Sequence, residues 1–562
     1  IGYGAMDGTA ANDCPTSIDN IFLGYDAGGG TWTTNDCNYN VGIGNYVMDA
    51  AMNGAVNNTA IGHQALSAVT TGYGNVAVGY QSGYALTTAA YNTLSGYQAG
   101  DSILSAYGST LLGYNAGAAV IANAGNTAIG YYALRKEDDG DYNTAIGYLC
   151  MEGINYNASD GNTAIGYKAL LGGTQAAASA KNVAIGYESM AAITGGSDNV
   201  AVGTSSLTTL TTGSDNVAVG FEAGRAITDA EQVTAIGYQA SEDNTGADGW
   251  TCVGYQAGQS LATDQNGVAI GNGAMRDGTG GTNSIAIGVY AGLNNTAGSV
   301  IFIGASAGLK NTSGTGNIAI GANALKENVD GTNNTVIGYG AMDAQQAGGT
   351  QTTSDGSNNN TFVGFGSGGG GWTDAESNYN TFVGASTAGA ALEASVYNSG
   401  LGYRVAENLT TGDGNTIMGG IAGANITSGN TNTVIGYNAA TTLTTGHYNT
   451  YIGRDANASA SGVNDEIVLC AGIGGLAGAG TETVRIGVDS DYYTLDFGEA
   501  GQSWTHSSDR RIKKDIEDCD LGLDFINDLR PVTYKKKAPS EYPQEFEQYN
   551  PNKTERRNPD KT

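Results

Sequence analysis

The sequence predicts an all-β chain, a parallel β-roll or β-solenoid built from coils of about 17 residues. Three observations carry this. Anchored on a glycine, a motif such as NTAIGYKAL (162–170) recurs 26 times between Gly2 and Gly453, and 16 of the 25 spacings are 17 residues. Glycine accounts for 90 of 562 residues, about twice the ~7% of ordinary proteins, yet there are only 6 prolines, which excludes a collagen helix. Charged residues are 14% against the usual ~25%, while 40% hydrophobic content is too high for a disordered chain.

Each repeat position has a physical reading. The residue before the anchor is apolar in 25 of 26 copies (Ile61, Val78, Ile146, Ile236, Ile337), with Ser95 the exception. The residue before that is usually alanine or another apolar side chain (Ala60, Ala128, Phe302, Phe362). Adjacent strand residues point to opposite faces, so two adjacent apolar columns predict a strand buried on both sides. One column fills the coil, and the other is expected to be covered by neighbouring copies of the chain. Asparagine stands four before the anchor in 19 of 25 copies (Asn58, Asn75, Asn199, Asn432), where stacked amides hydrogen-bond along a ladder. Alanine three after the anchor suits a close approach of two walls, and the glycine itself permits a bend or backbone contact. Tyrosine follows the anchor in 14 copies (Tyr80, Tyr131, Tyr167, Tyr255), a column that reads as a structural ladder rather than a ligand platform. Seventeen residues allow two short strands and two turns per coil, a narrow roll. About 28 coils at ~4.8 Å would make a shaft roughly 130 Å long, of undetermined handedness.

The period breaks at three places, which predicts insertions near 6–40, 149–182 and 339–380 within a shaft spanning 1–490. The first and last are related. IGYGAMD at 1–7 recurs at 337–343, and GGGTWTTNDCNYN (28–40) parallels GGGGWTDAESNYN (368–380). Solenoid insertions map to surface loops, often on the binding face. Trp32 and Trp372 in these loops are therefore candidate receptor-binding residues; the competing reading folds each indole back over a strand edge.

Charge divides the chain near residue 507. From Ser508 onward 12 basic residues meet 12 acidic ones, so residues 1–507 carry the whole formal charge of −30. A body that acidic repels phosphate backbones, which argues against nucleic-acid partners. No apolar run approaches ~18 residues, so no membrane insertion is expected. Cys150, Cys252 and Cys470 read as buried fillers, and spacing leaves open whether Cys14 and Cys37 pair. His63, His447 and His506 are scattered, so neither a metal site nor a cofactor is expected. No two carboxylates stand out as a glycan-cleaving pair. The chain opens at Ile1 inside a motif, which reads as a fragment of a longer product.

The NxAIGxxxxA pattern resembles the head repeats of trimeric autotransporter adhesins, and more closely repeats of phage tail-fibre proteins, over about 1–490. That resemblance implies a trimeric left-handed β-roll. From Ser508 the text SSDRRIKKDIEDCDLGLDFINDLRPVTYKKK resembles the opening of the intramolecular-chaperone autoprotease domain of phage tailspikes and endosialidases. The match rests on Ser508, Asp509, Arg511, Ile512, Lys513, Ile516, Leu529, Pro531, Val532 and Tyr534. It implies self-cleavage between Ser507 and Ser508, with Ser508 as nucleophile and Lys513 as base. A lysine acts so only when burial lowers its pKa. Residues 491–507 are then a connector, and 508–562 the N-terminal part of a truncated, short α+β domain. The implied function is a structural fibre of a virion. It is homotrimeric and extracellular, and its partners are other tail proteins and a host receptor or glycan. The alternatives are a bacterial trimeric adhesin head and, further off, a glycan-depolymerising tailspike. No external-substrate enzyme is expected.

Overall fold

The computed structural model describes residues 1–506 apart from 7–15, 34, 138–139, 155–158, 174–176, 178, 263–264, 344–355, 373–375 and 499–504. Every regular element among the described residues is a strand. From Ile21–Leu23 to Thr450–Ile452, each coil contributes one strand of three or four residues that ends just before the anchor glycine. Consecutive strands pair in parallel with repeat positions in register: Thr59, Ala60 and Ile61 lie beside Val76, Ala77 and Val78. This is the expected parallel β-solenoid.

The strand alternates as its pleat dictates. Its middle residue points into the coil and is fully buried (Ala60, Ala128, Ala235), while its last residue points outward, with Ile61 and Ile236 each 39% exposed. The expectation of two strands per coil is not met. Beyond the anchor the backbone takes left-handed corners, as at Gln64 (φ 58°), Leu66 (φ 46°) and Tyr91 (φ 59°). Such corners leave the β region. Pairing on the far side is reduced to isolated bridges such as Tyr73–Ala90–Tyr107–Ala124, and to a two-residue pair, Ala456–Asn457 with Leu476–Ala477. Backbone groups there still bond coil to coil: the Gln81 N–H donates to the His63 carbonyl at 2.9 Å and Leu66 to Ser82 at 3.0 Å.

The anchor glycines stack directly on one another. Gly62 has φ 141°, and a Cβ built on it would lie 2.2 Å from the Gly79 carbonyl oxygen; Gly79 meets Gly96 identically. No other residue fits such a column.

Inside the coil runs the asparagine ladder. The Asn58 Oδ1 accepts both the backbone N–H and the side-chain amide of Asn75 at 3.0 Å, while the Asn58 amide donates to the Gly72 carbonyl at 2.8 Å. These side chains are fully buried. Repetition satisfies them, because each coil offers the acceptor its neighbour needs. The ladder ends at Glu466, whose carboxylate accepts the Tyr451 hydroxyl (2.9 Å) and the N–H groups of Ser459 and Gly480. Burial and the Glu466 charge both raise the Tyr451 pKa, so its hydroxyl stays a donor.

Core volume is traded between two positions. Where the inward strand residue is alanine, the position four after the anchor is often large, as in Ala60 with Leu66 and Ala145 with Met151. Where the strand residue is large, that position is small: a Cβ on Gly308 would meet Phe302 at 2.6 Å, and one on Gly368 would meet Phe362 at 2.7 Å. The trade also crosses coils, since Gly267 makes room for Trp250 and Gly400 for Phe382. Native packing density is kept while composition drifts.

The parallel stack ends at Thr483–Val488. Residues 491–507, read from the sequence as a connector, include two further strands: Asp491–Asp496 returns antiparallel to Thr483–Val488, and Thr505–His506 pairs with it. The repeat has already lost its anchor one coil earlier. Cys470 occupies the anchor position, and the strand Ile467–Ala471 runs straight through it. The compact unit ends at His506.

Candidate functional site

The outward strand residues form a column that runs the length of the stack. Leu23, Ile43, Ile61, Val78, Ile129, Ile165, Ile236, Ile287, Leu401, Met418, Ile435 and Ile452 are all substantially exposed. Isolated apolar residues on a surface are ordinary, but a continuous apolar column is the mark of an interaction surface. The second apolar column is thus real, and a single chain leaves it open.

Beside it stands the aromatic column. His63, Tyr80, Tyr97, Tyr114, Tyr131, Tyr148, Tyr167 and Tyr187 stack with centroids 4.9–5.7 Å apart and planes within 14°. Coil spacing sets ring spacing. Each interior ring has both faces covered by its neighbours, so the column shows edges and hydroxyls to solvent. A flat ligand finds no free face there, which fits the structural reading of the tyrosines.

The two insertion tryptophans lie inside. Trp32 is 2% exposed and Trp372 fully buried. Each indole N–H donates to the carbonyl four residues earlier, Gly28 at 3.2 Å and Gly368 at 2.7 Å. Each ring packs edge-on against a phenylalanine, Phe22 and Phe362 respectively. The receptor-binding role expected of Trp32 and Trp372 is corrected here: a large apolar ring in a glycine-rich loop gains more by filling the coil than by facing water. The glycines supply the room, for Gly28 and Gly368 take left-handed backbone beside those phenylalanines.

Burial pushes the Cys150 and Cys252 thiols up to about 12, so both stay protonated as core fillers. Cys37 is buried, accepting the Gly54 N–H at 3.3 Å; Cys14 lies outside the described residues. Among the described residues no group of three or more His, Cys, Asp or Glu is placed to hold a metal, and no helix is long and apolar enough to cross a membrane. Ser508, Lys513 and the expected α+β segment lie outside the described residues.

The most perturbed carboxyl lies at the third insertion. Asp343 is half-buried, and burial raises its pKa to about 6; the Lys326 ammonium pulls it back and the Glu327 carboxylate raises it further. Glu327 is itself buried between Lys310 (2.6 Å) and Lys326 (3.3 Å). A carboxyl raised on folding from the ordinary 3.8 opposes the folded state once ionised. That cost is absent below the unfolded value, grows as pH rises from about 4 to 6, and is complete above. Asp343→Asn is therefore expected to raise Tm at pH 7.5 and leave it unchanged at pH 3.5. Equal shifts in thermal melts at the two pH values would refute this.

A family model described as the chaperone of endosialidase matches residues 508–555. Neither the curated proteins nor the solved structures give a match to this chain. The chain is thus a β-solenoid followed by a segment similar to that chaperone.

Proposed function

We propose that the chain is the shaft of a homotrimeric phage tail fibre or related virion appendage, displayed outside the cell with other tail proteins to meet a host receptor or glycan. The observation that carries this reading is the exposed apolar column, interrupted by Ser95 alone, along a stack followed by a chaperone-like segment. Covering the remaining surface of one such isoleucine is worth roughly 0.5–1 kcal/mol. Summed over the stack, that exceeds the ~4–15 kcal/mol of freedom lost on association. Three copies are proposed because the repeat resembles trimeric heads, and a threefold axis closes with one face per chain. Contacts between the chains of a trimer are non-local and slow to form, which gives a terminal folding module its purpose.

The terminal segment is proposed to cut itself off once. The Ser508 hydroxyl oxygen adds to the Ser507 carbonyl carbon while Lys513 takes the hydroxyl proton. The peptide C–N bond breaks, the freed nitrogen is protonated, and water hydrolyses the resulting ester. Native mass spectrometry of the purified chain tests both parts. A trimer is expected, with a body ending at Ser507 that Ser508→Ala and Lys513→Ala leave uncut. A monomer sinks the fibre reading, and an uncut wild-type chain sinks the cleavage.

A further inference from the structure

Beside the aromatic column at the third insertion, glycines replace the side chains that elsewhere close the surface. Two residues after the anchor most coils carry a polar side chain, and the glutamines there bond coil to coil: Gln81 to Gln64 and Gln98 to Gln81, each at 2.9 Å. In two successive coils that position is Gly340 and Gly366. Among the described residues a Cβ on Gly366 would meet nothing within 4 Å, and one on Gly340 only Asp343 at 3.7 Å. The space left is a groove of about 430 Å³ lined by Tyr339, Asp343, Phe365, Ser386, Glu407 and Asn408. Its glycine walls are not needed for packing; they leave it open.

The groove opens onto an aromatic face that the interior rings of the stacked runs lack. Phe365 stacks on Tyr339 at 5.7 Å and 9°, but the next coil has Ala385 at the ring position. The second face of Phe365 therefore has no ring partner, and the side chain is 61% exposed. Around it stand two carboxyls, an amide and a hydroxyl. Glu407 is already matched by Arg404 at 2.7 Å, whereas Asp343 has no ion pair among the described residues. In the related first copy the equivalent position is closed, because Tyr46 stands edge-on to Tyr25 at 5.3 Å where Ser386 stands here.

We propose that this groove binds a neutral glycan, one sugar ring lying on the free face of Phe365 with its hydroxyls shared among Asp343, Ser386, Glu407 and Asn408. An apolar face ringed by a few convergent polar groups, in a volume suited to one or two sugar units, is the pattern of such sites. Carboxyls at the rim and a formal charge of −30 repel sialylated or phosphorylated chains. The inference rests on the host-attachment reading and gives it a location.

The test titrates the purified full chain with maltotetraose, chitotetraose, mannotetraose and a galactotetraose, alongside 3′-sialyllactose and spermine, by saturation-transfer NMR and calorimetry. At least one neutral tetrasaccharide is expected to bind, and Phe365→Ala and Asp343→Asn to weaken it by about tenfold or more. Ser386→Trp, which fills the groove, is expected to abolish it. Tyr238→Ala, whose ring is sandwiched between Phe221 and Tyr255, is expected to leave it unchanged. The proposal is overturned if no neutral saccharide binds, if sialyllactose or spermine binds in preference, or if the groove variants bind like wild type. Light scattering on the same samples separates the two readings. A trimer that ignores sugars loses the groove alone, and a monomer that binds them loses the fibre alone.

Discussion

Replacing Gly237 with alanine is expected to break the solenoid at that coil. The new Cβ would stand 2.3 Å from the Gly254 carbonyl oxygen, a backbone atom that no side-chain adjustment can move. It would also hold φ near 138°, a region L-residues rarely adopt. Relief requires the two coils to separate, and the ladder bonds Gly254 N–H to Ile236 and Gln256 N–H to Tyr238, both 2.8 Å, would lengthen with them. The loss is expected at about 4 kcal/mol or more, at the far end of single-substitution effects. Because coils are coupled mainly to their neighbours, proteolysis should cut between the coils of Gly237 and Gly254 while both flanks stay protected. Gly389→Ala is the control, since its nearest neighbours lie 3.6 Å from the new Cβ. Matching melts for the two variants would show that the glycine column is not required.

One residue earlier the expected outcome is different in kind. Ile236→Asp should leave the coil folded and abolish the trimer. The side chain points outward and is 39% exposed in the single chain, so hydration of the new carboxylate is retained there. In a trimer the same face is covered, and an unpaired buried carboxylate costs several kcal/mol in each copy. Light scattering should report monomer while the β-type circular dichroism persists. Ala235→Asp, on the inward face, should lose both. An Ile236→Asp chain that stays trimeric would put the subunit contact on another face.

The repeat made the columns readable before any coordinates. The two opposed apolar columns, stacked asparagines and anchor glycines stand where their spacing implied, because a solenoid converts a sequence period directly into a spatial column; that the alanines face inward and the isoleucines outward was decided by the structure. The candidate site was less legible. Trp32 and Trp372 were singled out for rarity and loop position, yet hydrogen bonds to Gly28 and Gly368 hold both indoles inside. The groove's signal in the sequence is glycine at 340 and 366 where a polar side chain recurs, and alanine at 385 after the rings of Tyr339 and Phe365.

The sequence by itself determined the coil length, the parallel register and which residues share a face. These depend on local period and on the alternation of a pleated strand, both written in the order of residues. Only the tertiary structure decided that each coil keeps one strand rather than two. Leu66 and Met151 take left-handed corners (φ 46° and 53°) that no local preference of leucine or methionine would select. The structure also decided where the tryptophans go and where the surface opens, since both depend on how the volume at one position is filled from another coil. Phe302 against Gly308, Trp250 against Gly267 and the space above Gly366 are facts about pairs of positions, and pairs meet only when the coils stack.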